Sequence, residues 1–243
     1  MVLPRNYTRH LCISDIHGCY HLLRELVEKL IRFDPATDRM TFVGDYIDLS
    51  LHSMKVVLYL QALKEKYPDN IVLLLGNHED MAYEFLKQSR HDSFTSNAYT
   101  RLWLQNGGQA TLKSFGSVKV AQRVLMPFIE SLLPYLETNT HIFAHGGVPK
   151  NAKKLSDVPV YDLIWDRNHE YQGPKTLIVG HSPHPRVKKS GNIVCIDTGA
   201  YWYGKLSAYD VINDVVYEVN KKSHGEKASR DFGHDKKVSA RMK

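Results

Sequence analysis

Cysteine is scarce: Cys12, Cys19 and Cys195 are the only three in 243 residues. An odd, dispersed set excludes a disulfide framework and zinc-finger spacing, and it fits a reducing compartment. Cys12 and Cys195 fall in apolar runs, where a thiol behaves as a small buried hydrophobe. Long hydrophobic runs are also missing. No stretch approaches the roughly 18–20 apolar residues of a membrane span, so no membrane partner is expected. Pro4, Arg5, Asn6 and Thr8 stand where a secretory signal would have its apolar core, and a cytoplasmic setting is expected. A strong charge of one sign is absent from most of the chain. The formal net charge is +6, and residues 221–243, with eight Lys or Arg and three acidic residues, carry five of it. A nearly neutral body argues against a nucleic-acid partner, and the tail has one aromatic, Phe232, and no binding motif. The expected organisation is one catalytic domain over residues 1–220, followed by a basic, disordered tail over 221–243.

What is present is an alternation of short apolar runs and amphipathic segments. Apolar runs at 10–14, 40–43 and 71–75 read as strands. Between them Leu22, Leu23, Leu26, Val27, Leu30 and Ile31, then Val56, Val57, Leu60 and Leu63, recur at helical spacing. This β-α-β-α-β order predicts a mainly parallel sheet covered by helices. A helix is expected over 81–88. An irregular helical insertion follows, either a rim to the site or plain packing, with an amphipathic helix over 126–136. The second half holds short strands at 141–144, 176–179, 193–196, 206–209 and 215–219. The last three are expected as antiparallel neighbours, with Asn213-Asp214 as a hairpin turn. The fold class is α/β: two facing mixed β-sheets flanked by helices.

Five of these strands end in the same way. Ser14-Asp15-Ile16-His17-Gly18, Gly44-Asp45-Tyr46-Ile47-Asp48, Gly76-Asn77-His78-Glu79, His145-Gly146-Gly147 and Gly180-His181-Ser182-Pro183 each follow an apolar run. One Asp after a strand is commonplace. Five strand ends that each deliver Asp, Asn or His make a metal-ligand set, because ligands of open α/β sheets sit beyond the carboxyl ends of the strands. Oxygen and imidazole donors without a thiolate suit Mn, Fe or Zn. Asp15, His17, Asp45, Asn77, His145 and His181 are more than one ion needs. Two ions about 3.5–4 Å apart, sharing one carboxylate, would acidify a bridging water for attack on phosphorus.

In this order the motifs resemble those of the calcineurin-like metallophosphoesterases. Within that family they resemble the PPP branch of serine/threonine protein phosphatases and symmetrical diadenosine tetraphosphatases. Trp103-Leu104-Gln105-Asn106-Gly107-Gly108 and Ile196-Asp197-Thr198-Gly199-Ala200 resemble bacterial members. The resemblance implies a four-layer α/β/β/α sandwich and two divalent metal ions, Mn first, with Fe or Zn as alternatives. It implies Asp15 and His17 on one ion, Asp45 bridging, and Asn77, His145 and His181 on the other. His78 would be the general acid, oriented by Asp48, and Glu79 structural. The substrate would be a phosphorylated protein or a small phosphoester or nucleotide.

One position departs from the pattern. The PPP motif continues with Arg after the second Asp, and here Leu49 stands there. Arg167, two places after Trp165, matches the second family Arg and is the remaining phosphate clamp, with His52 and Lys55 as further candidates. The implied activity is a serine/threonine-type protein phosphatase. A symmetrical bis(5'-nucleosyl)-tetraphosphatase, or a low-activity metal-binding regulatory module motivated by Leu49, stays open. Tyr201-Trp202-Tyr203 either packs or lines the substrate mouth, and packing is the expectation.

Overall fold

A computed structural model describes residues 7–89 and 97–221. The expected basic tail lies outside the described residues, apart from Lys221. The first half runs β1 (Arg9–Ile13), α1 (Tyr20–Arg24) continuing into a π-helical stretch (Glu25–Ile31), β2 (Asp38–Phe42), α2 (Ser53–Lys66), β3 (Ile71–Leu73) and α3 (Asn77–Gln88). A helical insert follows: α4 (Ala98–Trp103), a π turn (Leu104–Gly108), α5 (Gln109–Phe115) and α6 (Val118–Glu130). The second half runs β4 (Tyr135–Glu137), β5 (His141–Ala144), α7 (Val160–Trp165), β6 (Thr176–Val179), β7 (Lys188–Ser190), β8 (Ile193–Cys195), β9 (Lys205–Asp210) and β10 (Val215–Asn220).

The strands form two five-stranded mixed sheets, ordered β10-β9-β1-β2-β3 and β4-β5-β6-β8-β7. In each, three neighbouring strands are parallel: β1, β2 and β3 in the first, β5, β6 and β8 in the second. Antiparallel strands flank both sides of this set in the second sheet and one side, through β9 and β10, in the first. The two-residue period of a strand explains the layering. Leu11 and Ile13 pack into the helical layer over the first sheet, while Cys12 between them points to the other face. Ile142 and Ala144 likewise pack outward, with Leu155 and the α7 residues Leu163 and Ile164. The inward residues Cys12, Val43, Val72, Phe143, Ile178 and Val194 meet in one cluster between the sheets. This gives the expected two facing sheets flanked by helices. No described helix is long and apolar enough to cross a membrane.

Three expectations need correction. The helix placed over 126–136 spans Val118–Glu130 instead. Ser117 caps it, accepting from the Val120 N–H. The apolar pattern continues past its end because Leu133 joins Leu73 and Leu75 in a bridge, and Tyr135 begins β4. The last three strands do not form one antiparallel group. β8 runs parallel to β6 in the second sheet, while β9 and β10 make a hairpin in the first. Its turn is a four-residue loop, 211–214, that contains the expected Asn213-Asp214, with Asp214 at φ 57°. The short elements β4, β7 and α7 were not foreseen. β4 and β7 are three-residue hairpin partners of β5 and β8, and periodicity over three to six residues is too short to show such elements.

Candidate metal centre

The carboxyl ends of β1, β2, β3, β5 and β6 converge, and their loops bring the six candidate ligands together. Asp15, His17, Asp45, Asn77, His145 and His181 are all buried. Asp45 lies at the centre. Its Oδ2 is 3.3 Å from His145 Nε2, 3.7 Å from His17 Nε2 and 3.9 Å from His78 Nε2. His145 Nε2 is also 3.0 Å from Asn77 Oδ1 and 3.2 Å from His181 Nδ1. Asp15 faces the same space. Its carboxylate accepts the His181 N–H at 3.1 Å and the Ser14 hydroxyl.

The backbone is bent to achieve this. Asp15, His17, Asp45, Asp48, Leu49 and His181 all have φ between 45° and 72°. A non-glycine residue in this left-handed region costs about 1–2 kcal/mol, and such strain collects at functional sites. Other groups hold the bends. Glu79, at the start of α3, accepts from the N–H groups of Asp45, Tyr46, Ile47 and Gly76. The structural role expected of Glu79 is thus to fix the loop after β2. Gly44 has φ 89°, and a Cβ there would sit 2.7 Å from Gly76 Cα and 2.8 Å from His145 Nδ1.

Two backbone carbonyls set imidazole tautomers. His145 Nδ1 lies 2.8 Å from Val43 O, and His17 Nδ1 lies 2.9 Å from Ile47 O. A carbonyl only accepts, so each Nδ1 carries the proton and Nε2 is left to face Asp45. His145 Nε2 then points at acceptors: a carboxylate, an amide oxygen and an imidazole nitrogen. His181 Nε2 is buried with no protein partner. A cation completes such a set. Burial pushes the His145 pKa down, but Asp45 more than offsets that and raises it. Burial pushes Asp45 up, but His145, His78 and His17 draw it well below the usual carboxylate range. His17 falls to about 4 and His181 to about 2, chiefly through burial, so both offer a neutral nitrogen. Two overlapping groups, His17-Asp45-His78 and Asp45-His145-His181, have the spacing to hold an ion. The residues fit divalent metal ions.

His78 differs from the other imidazoles. Its Nδ1 is 2.7 Å from Asp48 Oδ2. Burial lowers its pKa, but Asp45 and Asp48 raise it to about 9. A histidine that keeps its proton, with Nε2 aimed at the cavity, is suited to deliver a proton. Asp48 is fully buried. It also accepts from Trp103 Nε1 at 2.9 Å and Thr111 Oγ1 at 2.6 Å. Sequence reasoning missed Trp103 and Thr111 as partners of Asp48, and no local signal marks them. Asp197 was quoted in a motif without a role. It lines the cavity, and burial raises it to about 6.

The cavity over these ligands has a volume of about 330 Å³. Arg167 reaches it, with Nη1 donating to His181 O at 2.5 Å. Leu49, Gln105, Asn106 and Trp202 form its rim. The helical insert therefore serves the site twice, at the rim and behind Asp48. His52 and Lys55 do not replace the missing Arg. His52 lines another cavity with Tyr20 and His21, and Lys55 Nζ lies 5.9 Å from the Tyr20 ring centre. The packing expected of Tyr201-Trp202-Tyr203 is also corrected: Trp202 is 63% exposed at the cavity mouth.

Among sequence relatives, the serine/threonine-protein phosphatase 1 of Salmonella typhimurium is 28% identical over 214 residues, covering 84% of this chain and 92% of that protein. An asymmetrical bis(5'-nucleosyl)-tetraphosphatase of Anoxybacillus flavithermus is 26% identical, covering 81% and 87%. The fold is shared with a protein serine/threonine phosphatase from Saccharomyces cerevisiae, at a TM-score of 0.66 and 16% identity, covering 92% of this chain and 82% of that one. The family model for the calcineurin-like phosphoesterases matches residues 8–231, nearly the whole chain. The chain belongs to the calcineurin-like phosphoesterases and is a phosphoric ester hydrolase.

Proposed function

We propose that the protein is a dinuclear metal-dependent phosphomonoesterase of the serine/threonine protein-phosphatase type. The observation that carries this reading is the convergence of six ligand-type side chains, Asp45 at their centre, with a protonated His78 beside them. Asp15, His17 and Asp45 would hold one ion, and Asp45, Asn77, His145 and His181 the other. Manganese is the ion proposed first, with Fe or Zn as alternatives. When bound, the ions supply a nucleophile at neutral pH and charge stabilisation on the phosphoryl oxygens. The chain's own residues do the rest. Arg167 orients the phosphoryl group by charge-assisted hydrogen bonds. His78 Nε2 delivers its proton to the leaving oxygen. Asp48 accepts from His78 Nδ1 and fixes the ring. The three free cysteines agree with a cytoplasmic setting.

The name of the Anoxybacillus relative keeps a dinucleoside tetraphosphatase as the second reading. Two assays with added Mn²⁺ separate them: orthophosphate release from a phosphoserine peptide, and nucleotide products from diadenosine tetraphosphate, whose cleavage frees no orthophosphate. Asp45→Asn is the control. Release from the peptide that is lost in Asp45→Asn is the expected result. A nucleotide product from the dinucleotide, without peptide turnover, moves the function to nucleotide hydrolysis.

A further inference from the structure

The loop after β6 divides two cavities. His181 and Pro183 line the metal cavity, whereas Ser182 and His184 line a second cavity of about 340 Å³. Arg167 lines both. The second cavity is completed by the edge of the second sheet. There β7 pairs with β8 so that Lys188 opposes Cys195 and Ser190 opposes Ile193. Cross-strand partners share a face, and all four reach this cavity.

The chemistry of the lining is one-sided. It offers a guanidinium, an ammonium, the imidazoles of His169 and His184, and the hydroxyls of Ser182 and Ser190, with no carboxylate. Nearby lysines are paired: Lys175 with Glu137, Lys189 with Asp214, Lys205 with Glu218. Among the described residues, Lys188 makes no ion pair with a carboxylate; Arg167 makes none either, although it draws down Asp15 and Asp197 across the metal cavity. Asp166 belongs to a neighbouring cavity with Glu170, and its Oδ1 accepts the Asn168 N–H. The positive field is felt inside the cavity. Burial lowers the pKa of both His184 and His169, and Lys188 lowers each further, against the pull of Asp166 on His169.

We propose that this second cavity is an anion subsite that takes another phosphoryl group of the substrate while the scissile one lies in the metal cavity. The preferred substrate is then a phosphomonoester carrying a second phosphate close by. The inference rests on the phosphomonoesterase reading above. It also explains how the site works with Leu49 in place of an arginine. Binding energy from a remote charged group compensates for a donor missing beside the reacting one.

Two phosphoserine peptides test this. They differ only in a second phosphoserine, or serine, placed one to three residues from the first. The metal-loaded protein should process the doubly phosphorylated peptide with a kcat/KM about fivefold higher, the order a charge-assisted contact from an exposed lysine supplies. Lys188→Gln should bring the ratio to about one. A ratio of one in both proteins overturns the subsite. If millimolar orthophosphate changes turnover of the singly phosphorylated peptide in wild type only, while the ratio stays at one, the occupant is the free ion and the assignment to substrate fails. If neither peptide is hydrolysed, the phosphatase reading itself fails. Calorimetric titration then decides the subsite. Methylenediphosphonate binding about fivefold tighter than methylphosphonate in wild type, and equally in Lys188→Gln, keeps it; equal affinities in wild type discard it.

Discussion

Thr111→Val tests whether the helical insert reaches the chemistry. The Thr111 hydroxyl donates to the Asp48 carboxylate at 2.6 Å and accepts the Asp48 N–H at 2.9 Å. Asp48 is fully buried, so water cannot replace the lost donor. The Asp48 N–H keeps Ser53 Oγ at 3.1 Å, so the penalty falls on the carboxylate. Losing one hydrogen bond to a buried charge costs roughly 1.5–3 kcal/mol. For a chain of this size, at about 2–4 °C per kcal/mol, that is a drop in Tm of about 3–12 °C. The kinetic effect is separate. A carboxylate with one anchor fewer holds the His78 ring less well, and proton delivery suffers while substrate binding does not. On a phosphoserine peptide kcat should fall about tenfold with KM nearly unchanged. On p-nitrophenyl phosphate, whose leaving group needs little protonation, kcat should fall far less. Trp103→Phe removes the second donor to the same carboxylate, so the double mutant should be non-additive. Lower Tm with an intact kcat on phosphoserine would refute the argument, because the clamp on Asp48 would then be structural alone.

Leu49→Arg should raise kcat/KM for a phosphomonoester about tenfold by adding a charge-assisted donor at the rim. No change would show that Leu49 does not limit the enzyme. Gly44→Ala forces a side chain between Gly76 and His145 at φ 89°, and it should cost about 3 kcal/mol or more in urea unfolding; a wild-type midpoint contradicts this. His10 is buried in β1, and burial pulls its pKa from 6.5 to about 3, helped by Arg39 and His141. Its folded pKa lies below the unfolded one, so its contribution is whole above about pH 6.5 and is lost as pH falls toward 3. His10→Gln should flatten the stability loss across that window, and an unchanged slope between pH 7 and pH 4 would count against it. Mn²⁺ at about 100 times its Kd should stabilise the fold by about 2.7 kcal/mol; the gain should vanish in Asp45→Asn, and a gain that survives there would place the ion elsewhere.

The parts of the site carried by strand ends were readable from sequence. An apolar run followed by Asp, His or Asn needs only local periodicity and turn chemistry, and Asp15, Asp45, Asn77, His145 and His181 all stand so. The two-sheet architecture was readable for the same reason. Membership of each strand in its sheet was not. β8 looks like the neighbour of β9 in sequence, yet Ile178 and Val194 pair across a loop that only the tertiary fold defines. Thr111 and Trp103 reach Asp48 across 63 and 55 residues, and nothing near either of them signals a buried carboxylate. Trp202 was misjudged because an aromatic cluster reads as packing, whereas this one stands exposed at the mouth.

Neither sheet alone builds the centre. The first sheet brings Asp15, His17, Asp45, Asn77 and His78, and the second brings His145, His181 and Asp197. The join is made by backbone as well as side chains: His181 N–H to Asp15, and His145 Nδ1–H to Val43 O. A slide of one sheet by a single residue, about 3.3 Å, would take His145 and His181 out of reach of Asp45. What prevents that slide is the cluster between the sheets, where Phe143 and Ile178 meet Cys12 and Val43. Each of these side chains lies next to, or just before, a ligand-bearing turn. The apolar layer that holds the sheets in register is therefore also the part of the protein that sets metal-site geometry. Its volume should be as tightly constrained as the ligands themselves.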